Sequence, residues 1–376
     1  MDKKKINILS PGRFHVCDLA RELDKNGFDV KFYSFVPAKR TLKFGLPRHC
    51  SASLFYLMIP FLALEKKLFK KQRWGTVLRM KVQDSFTAII MRKCDILIAM
   101  SGSFVYAVEK AKKQGSLIIL ERGSKHILEQ KRILESIPSL KGKKPVPDIN
   151  VRRELKGYEL ADYIAVASQH VVDSFLAHNY PREKLFKNPY GVDLSMFSPQ
   201  FSENKKYDFI MVGNWSYQKG CDLIIEAIRK TNYTFLHVGS IADLDFPQGA
   251  RFTHVNAVDQ SKLIKYYNQA KIFVLPSRQE GLAMVQAQAI ACNLPLIGSK
   301  DSGAEDLRQM VEYPQFITLI EDYTSDALIK AMNLAMKNYE SLSGKTYAGT
   351  AIKNLTWEAY GKRYAAFLCL INKNKK

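Results

Sequence analysis

The residues best equipped for chemistry cluster in VLPSRQEGLAMVQAQAIACNLPLIG, positions 274–298. A strand is predicted to end at Pro276-Ser277, a loop to carry Arg278 and Glu280, and Gly281 to let the backbone turn into a helix from about Ala283 to Cys292. Free N–H groups at such a helix start, from Leu282 through Met284, attract an anion and suit a diphosphate. Lys219 precedes another predicted helix within GNWSYQKGCDLIIEAI (213–228) and adds a cation. After the first predicted strand come Gly12, which has no side chain to clash, and Arg13, a second cation. A rival chemistry is written in Asp243-Leu244-Asp245, whose paired carboxylates have the spacing that binds Mg²⁺ or Mn²⁺ with substrate phosphates. That pair falls in ADLDFPQGA, a run of turn formers, and is read as an exposed loop.

These groups need strands and helices to hold them. Short β-rich runs alternate with helical stretches along the whole chain, which predicts βαβ units and parallel sheets. The runs KINILS (5–10), FDVKFYSF (28–35), DILIAMS (95–101), SLIILE (116–121) and DYIAVAS (162–168) form the first set. YDFIMVG (207–213), YTFLHVGS (233–240), RFTHVNAV (251–258), KIFVLPS (271–277), LPLIGS (294–299) and FITLI (316–320) form the second. A first helix is expected from about His15 to Lys25, ended by Asn26-Gly27, and a last one from Leu355 to Lys376. The domains are expected at 1–190 and 191–355, with 356–376 as a helix packing back on the first domain. A cleft between two such domains is where a ligand should sit.

The chain of 376 residues has 57 basic against 36 acidic side chains and 47% apolar content, which excludes wholesale disorder and a collagen-like or heptad-repeat chain. Residues 1–190 hold 36 basic and 18 acidic groups, residues 191–376 only 21 and 18, so the first half is expected to meet the anionic partner. Six dispersed cysteines without a CxxC pair, and no His at metal-ligand spacing, argue against a disulfide frame or a zinc site. The start MDKKKINILS lacks the apolar core of a signal peptide, and the longest apolar run, Leu54 to Leu64, is interrupted by Pro60. A cytoplasmic location is expected.

Three further segments surround the 274–298 stretch in order: YGVDLSMFSP (190–199), GNWSYQKGCDLIIEAI (213–228) and KDSGAEDL (300–307). Together they resemble glycosyltransferase family 4, retaining enzymes of the GT-B fold that move a sugar from a nucleotide-sugar. The resemblance extends to LTWEAYGKRY (355–364) and, more loosely, to PGRFHVCDLARELDKNGFDV (11–30). It implies an α/β fold of two Rossmann-like doubly wound domains facing a cleft, with a terminal helix crossing back. It also implies a metal-free reaction without a cofactor. By resemblance, Glu280 lies at the transferred sugar and position 288 at the ribose diol; here that position is Gln288, an amide that accepts at one end only. Lys219 matches a phosphate-binding lysine, while Asn214 stands where the family has an arginine, so a replacement cation is expected, with Arg278 the candidate. Gly12 and Arg13 fall where the family brings backbone close to the donor. His126 in ERGSKHI (121–127) falls where family members hold a histidine near the reacting sugar. The expected donor site is thus Gly12, Arg13, Asn214, Lys219, Ser277, Arg278, Glu280, Gly281, Leu282, Ala283, Met284 and Gln288, with Glu280, Lys219 and His126 catalytic.

The acceptor side carries LFYLMIPFLALEKKLFKKQRWGTVLRMK (54–81), an apolar run joined to Lys66, Lys67, Lys70, Lys71, Arg73 and Trp74. Such a basic, aromatic-bearing stretch suits an anionic membrane surface. A membrane-associated glycolipid or polysaccharide acceptor in bacterial surface polysaccharide or lipopolysaccharide assembly is therefore expected, with the protein peripheral on the inner face of the cytoplasmic membrane. Two other readings compete: a sugar-nucleotide-binding partner of another transferase, suggested by Asn214 and Gln288, and a basic nucleic-acid binder. No helix-turn-helix, zinc finger or RNA-binding signature accompanies the charge, so nucleic acid is not an expected partner.

Overall fold

A computed structural model describes residues 3–68, 73–200, 205–342 and 346–373, with side chains at 65–68, 73, 74, 372 and 373 left aside. Parallel strands covered by helices on both faces must be apolar throughout, and the predicted runs meet that demand. In the first half, the order is β1 (Lys5–Ser10), α1 (Phe14–Lys25), β2 (Asp29–Ser34), α2 (Ala38–Lys43), β3 (Ser51–Ser53), α3 (Phe55–Leu68) and α4 (Arg73–Ile90). It continues through β4 (Ile96–Met100), α5 (Val105–Lys113), β5 (Leu117–Arg122), α6 (Ile127–Ser136), α7 (Asp148–Leu160), β6 (Tyr163–Val166), α8 (Gln169–Leu176) and β7 (Leu185–Lys187). The second half holds β8 (Tyr207–Val212), α9 (Cys221–Arg229), β9 (Phe235–Val238), β10 (Phe252–Val255), α10 (Leu263–Tyr267), β11 (Ala270–Leu275) and α11 (Met284–Ala291). It closes with β12 (Leu296–Ser299), α12 (Ala304–Arg308), β13 (Ile317–Ile320), α13 (Ser325–Glu340) and α14 (Trp357–Lys373).

Among the described residues the strands form two sheets, ordered β3-β2-β1-β4-β5-β6-β7 and β10-β9-β8-β11-β12-β13, with every pairing parallel. Each order reverses once, between β1 and β4 and between β8 and β11. Loops leaving the carboxyl ends of strands diverge at such a reversal and open a crevice. The loops after β8 (213–220) and β11 (276–283), which carry Lys219 and Glu280, are therefore neighbours by topology. The short strands β3 and β7 were not among the expected runs: three residues with no alternation carry no periodic signal.

The last helix returns to the first sheet. Arg363 on α14 donates to Asn188 Oδ1 (2.7 Å) and to the Pro189 carbonyl (2.8 Å), and the Phe367 ring stacks on Phe186 with centroids 4.0 Å apart. Gly361 lies so close to α1 that a Cβ there would sit 2.3 Å from Cβ of Glu22. Tyr360, Tyr364 and Leu368 are at most 1% exposed along this seam. Where the chain passes between the domains, Val192 N–H donates to the Leu355 carbonyl (2.7 Å), so the outgoing and returning segments run side by side. Among the described residues no helix is long and apolar enough to cross a membrane.

Burial on this scale makes the seam a large contributor to stability. Tyr360→Ala is expected to cost about 3–5 kcal/mol, as large-to-small aromatic changes in cores do. A denaturant midpoint unchanged from wild type would show that α14 is not docked in solution.

Candidate functional site

The site is built where the β8 and β11 loops touch. Gly220, in the left-handed region at φ 73°, caps α9, and a Cβ there would lie 2.2 Å from the Pro276 carbonyl oxygen. Only glycine serves both the turn and that approach. The contact brings Lys219 against Glu280: Lys219 Nζ pairs with Glu280 Oε1, the two side chains being 19% and 15% exposed. Ser277 Oγ, fully buried, donates to the same Oε1 at 3.4 Å. The Glu280 backbone is fixed as well, its N–H donating to the Asp301 carbonyl (3.0 Å) and its carbonyl accepting from His170 Nε2 (3.1 Å).

The first domain closes on this loop. Gly281 approaches the first domain so closely that a Cβ would fall 2.4 Å from the Gly123 carbonyl oxygen. Ser168 Oγ donates to the Gly281 carbonyl (2.7 Å), Gln279 Nε2 to Ser124 Oγ, and Lys125 Nζ to Asp301. Burial pushes the Asp301 carboxyl up, but hydrogen bonds from Lys125 and Tyr323 outweigh it and hold the group below its ordinary value. The Asp306 carboxylate accepts from the Gln169 N–H (2.9 Å) and pairs with Lys187 (3.0 Å). Beside Glu280, α11 starts without a side-chain cap at Ala283 and without an acidic residue in its first turn, so its leading N–H groups keep their positive character. Leu282 and Ala283 are buried and Met284 is partly so.

Several expected site residues lie elsewhere. Arg278 does not supply the cation missing at Asn214. Its guanidinium makes a bidentate pair with Asp222 (2.7 Å at both oxygens) and donates to the Tyr217 carbonyl, because an acid in the first turn of α9 competes for it. Asn214 itself is exposed beyond the end of β8. Gln288 is 7% exposed and its Oε1 accepts from the Tyr267 hydroxyl (2.9 Å), so the accepting end wanted by a ribose diol is already engaged. Arg13 stacks over the Phe44 ring at 3.7 Å, lining a groove with Lys43 and Trp357, while the Gly12 N–H turns back to Ser10 Oγ (3.4 Å). His126 caps α6 inside the first domain, its ring stacked on His178 (4.2 Å) and packed against Tyr158 and Phe175. Burial, reinforced by His178, pushes its pKa down to about 4. The structure thus places His126 in a buried aromatic cluster. The Asp243-Asp245 pair is exposed, and Asp243 accepts the Tyr217 N–H (3.0 Å), bracing the Lys219 loop. The residues Lys66, Lys67, Lys70, Lys71, Arg73 and Trp74 lie outside the described side chains.

Lys125, His170 and Asp301 hold the Glu280 loop in ways local sequence does not announce. Each is a polar residue near a strand's carboxyl end, and that position is the one signal that could have found them.

Residues 195–350 match the family of group 1 glycosyl transferases. The chain is 24% identical to a probable sucrose-phosphate synthase of Thermosipho melanesiensis over 246 residues, covering 57% of this chain and 56% of that protein. It spans about half the length of the curated relatives it matches over the longest stretches. Among solved structures, sucrose-phosphate synthase from Thermosynechococcus elongatus superposes with a TM-score of 0.71 at 16% identity, covering 99% of this chain and all of the other. Anabaena HepE in complex with UDP-glucose gives 0.64 at 14% identity, covering 97% and 99%. At these identities the structural likeness is one of fold.

Two titrations test the packing around the site. Burial also pushes His237, whose Nε2 donates to the Gly213 carbonyl (2.8 Å), down to about 4. Unfolded imidazoles take up protons near pH 6.5, whereas these two resist until about 4. Stability is therefore full above pH 6.5 and falls on acidification, by up to about 3 kcal/mol per histidine at pH 4. Denaturation followed between pH 7 and 4 should show this loss, and His126→Phe should shallow the slope; an unchanged slope would place the protons elsewhere. Gly220→Ala should separate the two loops and lower the melting temperature, which scanning calorimetry reads directly. Residues 195–350 thus match the group 1 glycosyl transferases, and the two parallel-sheet domains have the GT-B fold.

Proposed function

We propose that the protein transfers a sugar from a nucleoside-diphosphate sugar, with retention and without a metal, to a glycolipid or glycan acceptor presented at an anionic membrane. The observation that carries the reading is the Lys219–Glu280 pair beside the uncapped start of α11. A diphosphate entering there offers Lys219 a stronger partner than one carboxylate does, and the exchange frees Glu280 to hold the sugar hydroxyls. Lys219 and the N–H groups from Leu282 to Met284 then oppose the negative charge that grows on the leaving diphosphate as the sugar gains oxocarbenium character. Donors fixed before reaction need no rearrangement, which is why such preorganisation usually dominates a barrier. Gly281 brings its backbone against that of Gly123 at the same point. With Arg278 engaged by Asp222, donor binding leans on Lys219 and on backbone N–H groups. The UDP-glucose complex of HepE supports a uridine nucleotide as the first donor to try.

The proposed acceptor side is the first domain. A cavity of about 300 Å³ between the β4 loop and Gln218 is lined by Ser101, Arg122, Gln130, Asn150 and Glu154, groups that pair with hydroxyls. On α3 and α4, Tyr56 (70% exposed), Leu57, Ile59, Leu64 and Leu78 stand in solvent, an apolar patch adjoining the basic 66–73 sequence. Together they favour a membrane surface over bulk water. Lipopolysaccharide or surface polysaccharide assembly at the inner face of the cytoplasmic membrane fits that arrangement.

Lys219→Met should lower turnover by about 10²–10³-fold, the range seen when one charge-stabilising donor is lost. Glu280→Ala should act as strongly, and rates near wild type for either variant would remove this site from catalysis. A thermal-shift screen against UDP-, GDP- and ADP-sugars should show one clear stabiliser, since ligand at a hundred times its Kd adds about 2.7 kcal/mol. EDTA should leave turnover intact; loss restored by Mn²⁺ would return the Asp243-Asp245 loop to consideration. Binding to anionic liposomes should weaken with salt and by about 1 kcal/mol for each of Lys66, Lys67, Lys70 and Lys71 neutralised. Equal binding to neutral liposomes would overturn the membrane reading.

A further inference from the structure

At the far end of α1 from the cleft, three side chains with different donor atoms converge. His49 Nε2 lies 2.7 Å from Asp24 Oδ1, the thiol of Cys50 hydrogen-bonds the same carboxylate, and the three ligand atoms all fall within 4.8 Å of one another. The turn that supplies two of them is held from several sides. Cys50 N–H donates to the Pro47 carbonyl (3.0 Å), its carbonyl accepts from Phe32 N–H (2.8 Å), and Lys31 Nζ donates to the His49 carbonyl (2.6 Å). We propose that Asp24, His49 and Cys50 form a binding site for a divalent transition-metal ion of zinc type, clipping the β3 edge to the end of α1.

The donor set decides the class of ion. One oxygen, one imidazole nitrogen and one thiolate sulfur match the borderline-soft preference of zinc and are wrong for Mg²⁺ or Ca²⁺, which take oxygen ligands. Cys50 is fully buried and Asp24 mostly so, while His49 is 67% exposed, leaving the outer side for a water as fourth ligand. Burial and Asp24 push the thiol up to about 12, so the resting group is protonated. Binding replaces that proton: the metal–sulfur bond forms as the S–H bond breaks, the proton goes to solvent, and the imidazole proton moves from Nε2 to Nδ1 through water. Sequence spacing concealed the site because Asp24 belongs to α1 and the other two residues to the turn before β3. Helix α1 is about 18 Å long at 1.5 Å per residue, so the ion would sit a helix length away from the loop that follows β1 and act on structure.

The test uses the full-length chain stripped with a chelator and titrated with Co²⁺. One equivalent should bind with a thiolate-to-cobalt charge-transfer band in the near ultraviolet and the intense visible bands of tetrahedral cobalt. Cys50→Ser should abolish the charge-transfer band. His49→Ala, a surface change that leaves packing alone, should weaken binding by at least the roughly tenfold that loss of an outer partner costs. Zn²⁺ should raise the melting temperature of wild type more than that of His49→Ala. No band in wild type, a band unaltered in Cys50→Ser, or equal Zn²⁺ shifts in wild type and His49→Ala would each overturn the assignment. Turnover of the chelator-treated protein is a separate readout, so failure of this site leaves the reaction proposed for Glu280 untouched.

Discussion

One close approach governs the arrangement: the backbone of residue 220 against the carbonyl of Pro276, possible because position 220 has no side chain. It sets the separation of two loops from adjacent strands, and that separation fixes the pairing of Lys219 with Glu280. Everything chemical in the second domain follows from it. The lysine and carboxylate neutralise each other in a crevice that an isolated charge would enter only at a cost. The uncapped start of α11 lies beside them, and it is on this juxtaposition that the proposed diphosphate site rests.

The first domain contributes by gripping the Glu280 loop from outside. Lys125, Ser124, Ser168, His170 and the backbone of Gly123 all contact residues between 279 and 301. Each contact is modest alone, since a neutral hydrogen bond contributes about 1 kcal/mol net. Together they align one short segment against two domains at once. A small relative motion of the domains would therefore be felt first at Glu280, which couples closure to the position of the carboxylate.

Much of this was legible in the sequence, for identifiable reasons. Continuous apolar runs reveal strands buried on both faces, so both sheets, the α11 start after Gly281 and the terminal helix could be read directly. Roles that depend on a partner could not. Arg278 looks like a free loop cation until Asp222 on α9 is seen to hold it, and Gln288 looks like a ribose ligand until the Tyr267 hydroxyl is found on its oxygen. His126 sits where resemblance wants a reactive histidine, yet a helix start turns its ring into an aromatic cluster with His178. His170 and Asp301 carry only the mark of lying just past a strand's carboxyl end. Their significance lies in backbone groups of Glu280, which no side-chain pattern encodes.

The return of α14 to α1 has a consequence for how the molecule is made. A ribosome delivers β1 and α1 well before the helix that covers them, so the first sheet emerges with a bare apolar stripe where Tyr360, Tyr364 and Leu368 will later lie. Until α14 has emerged, that half cannot reach its final form, and the second half must be synthesised in between. Completion of the first domain thus waits on α14, and a nascent chain stalled before that helix would present a sticky surface to chaperones.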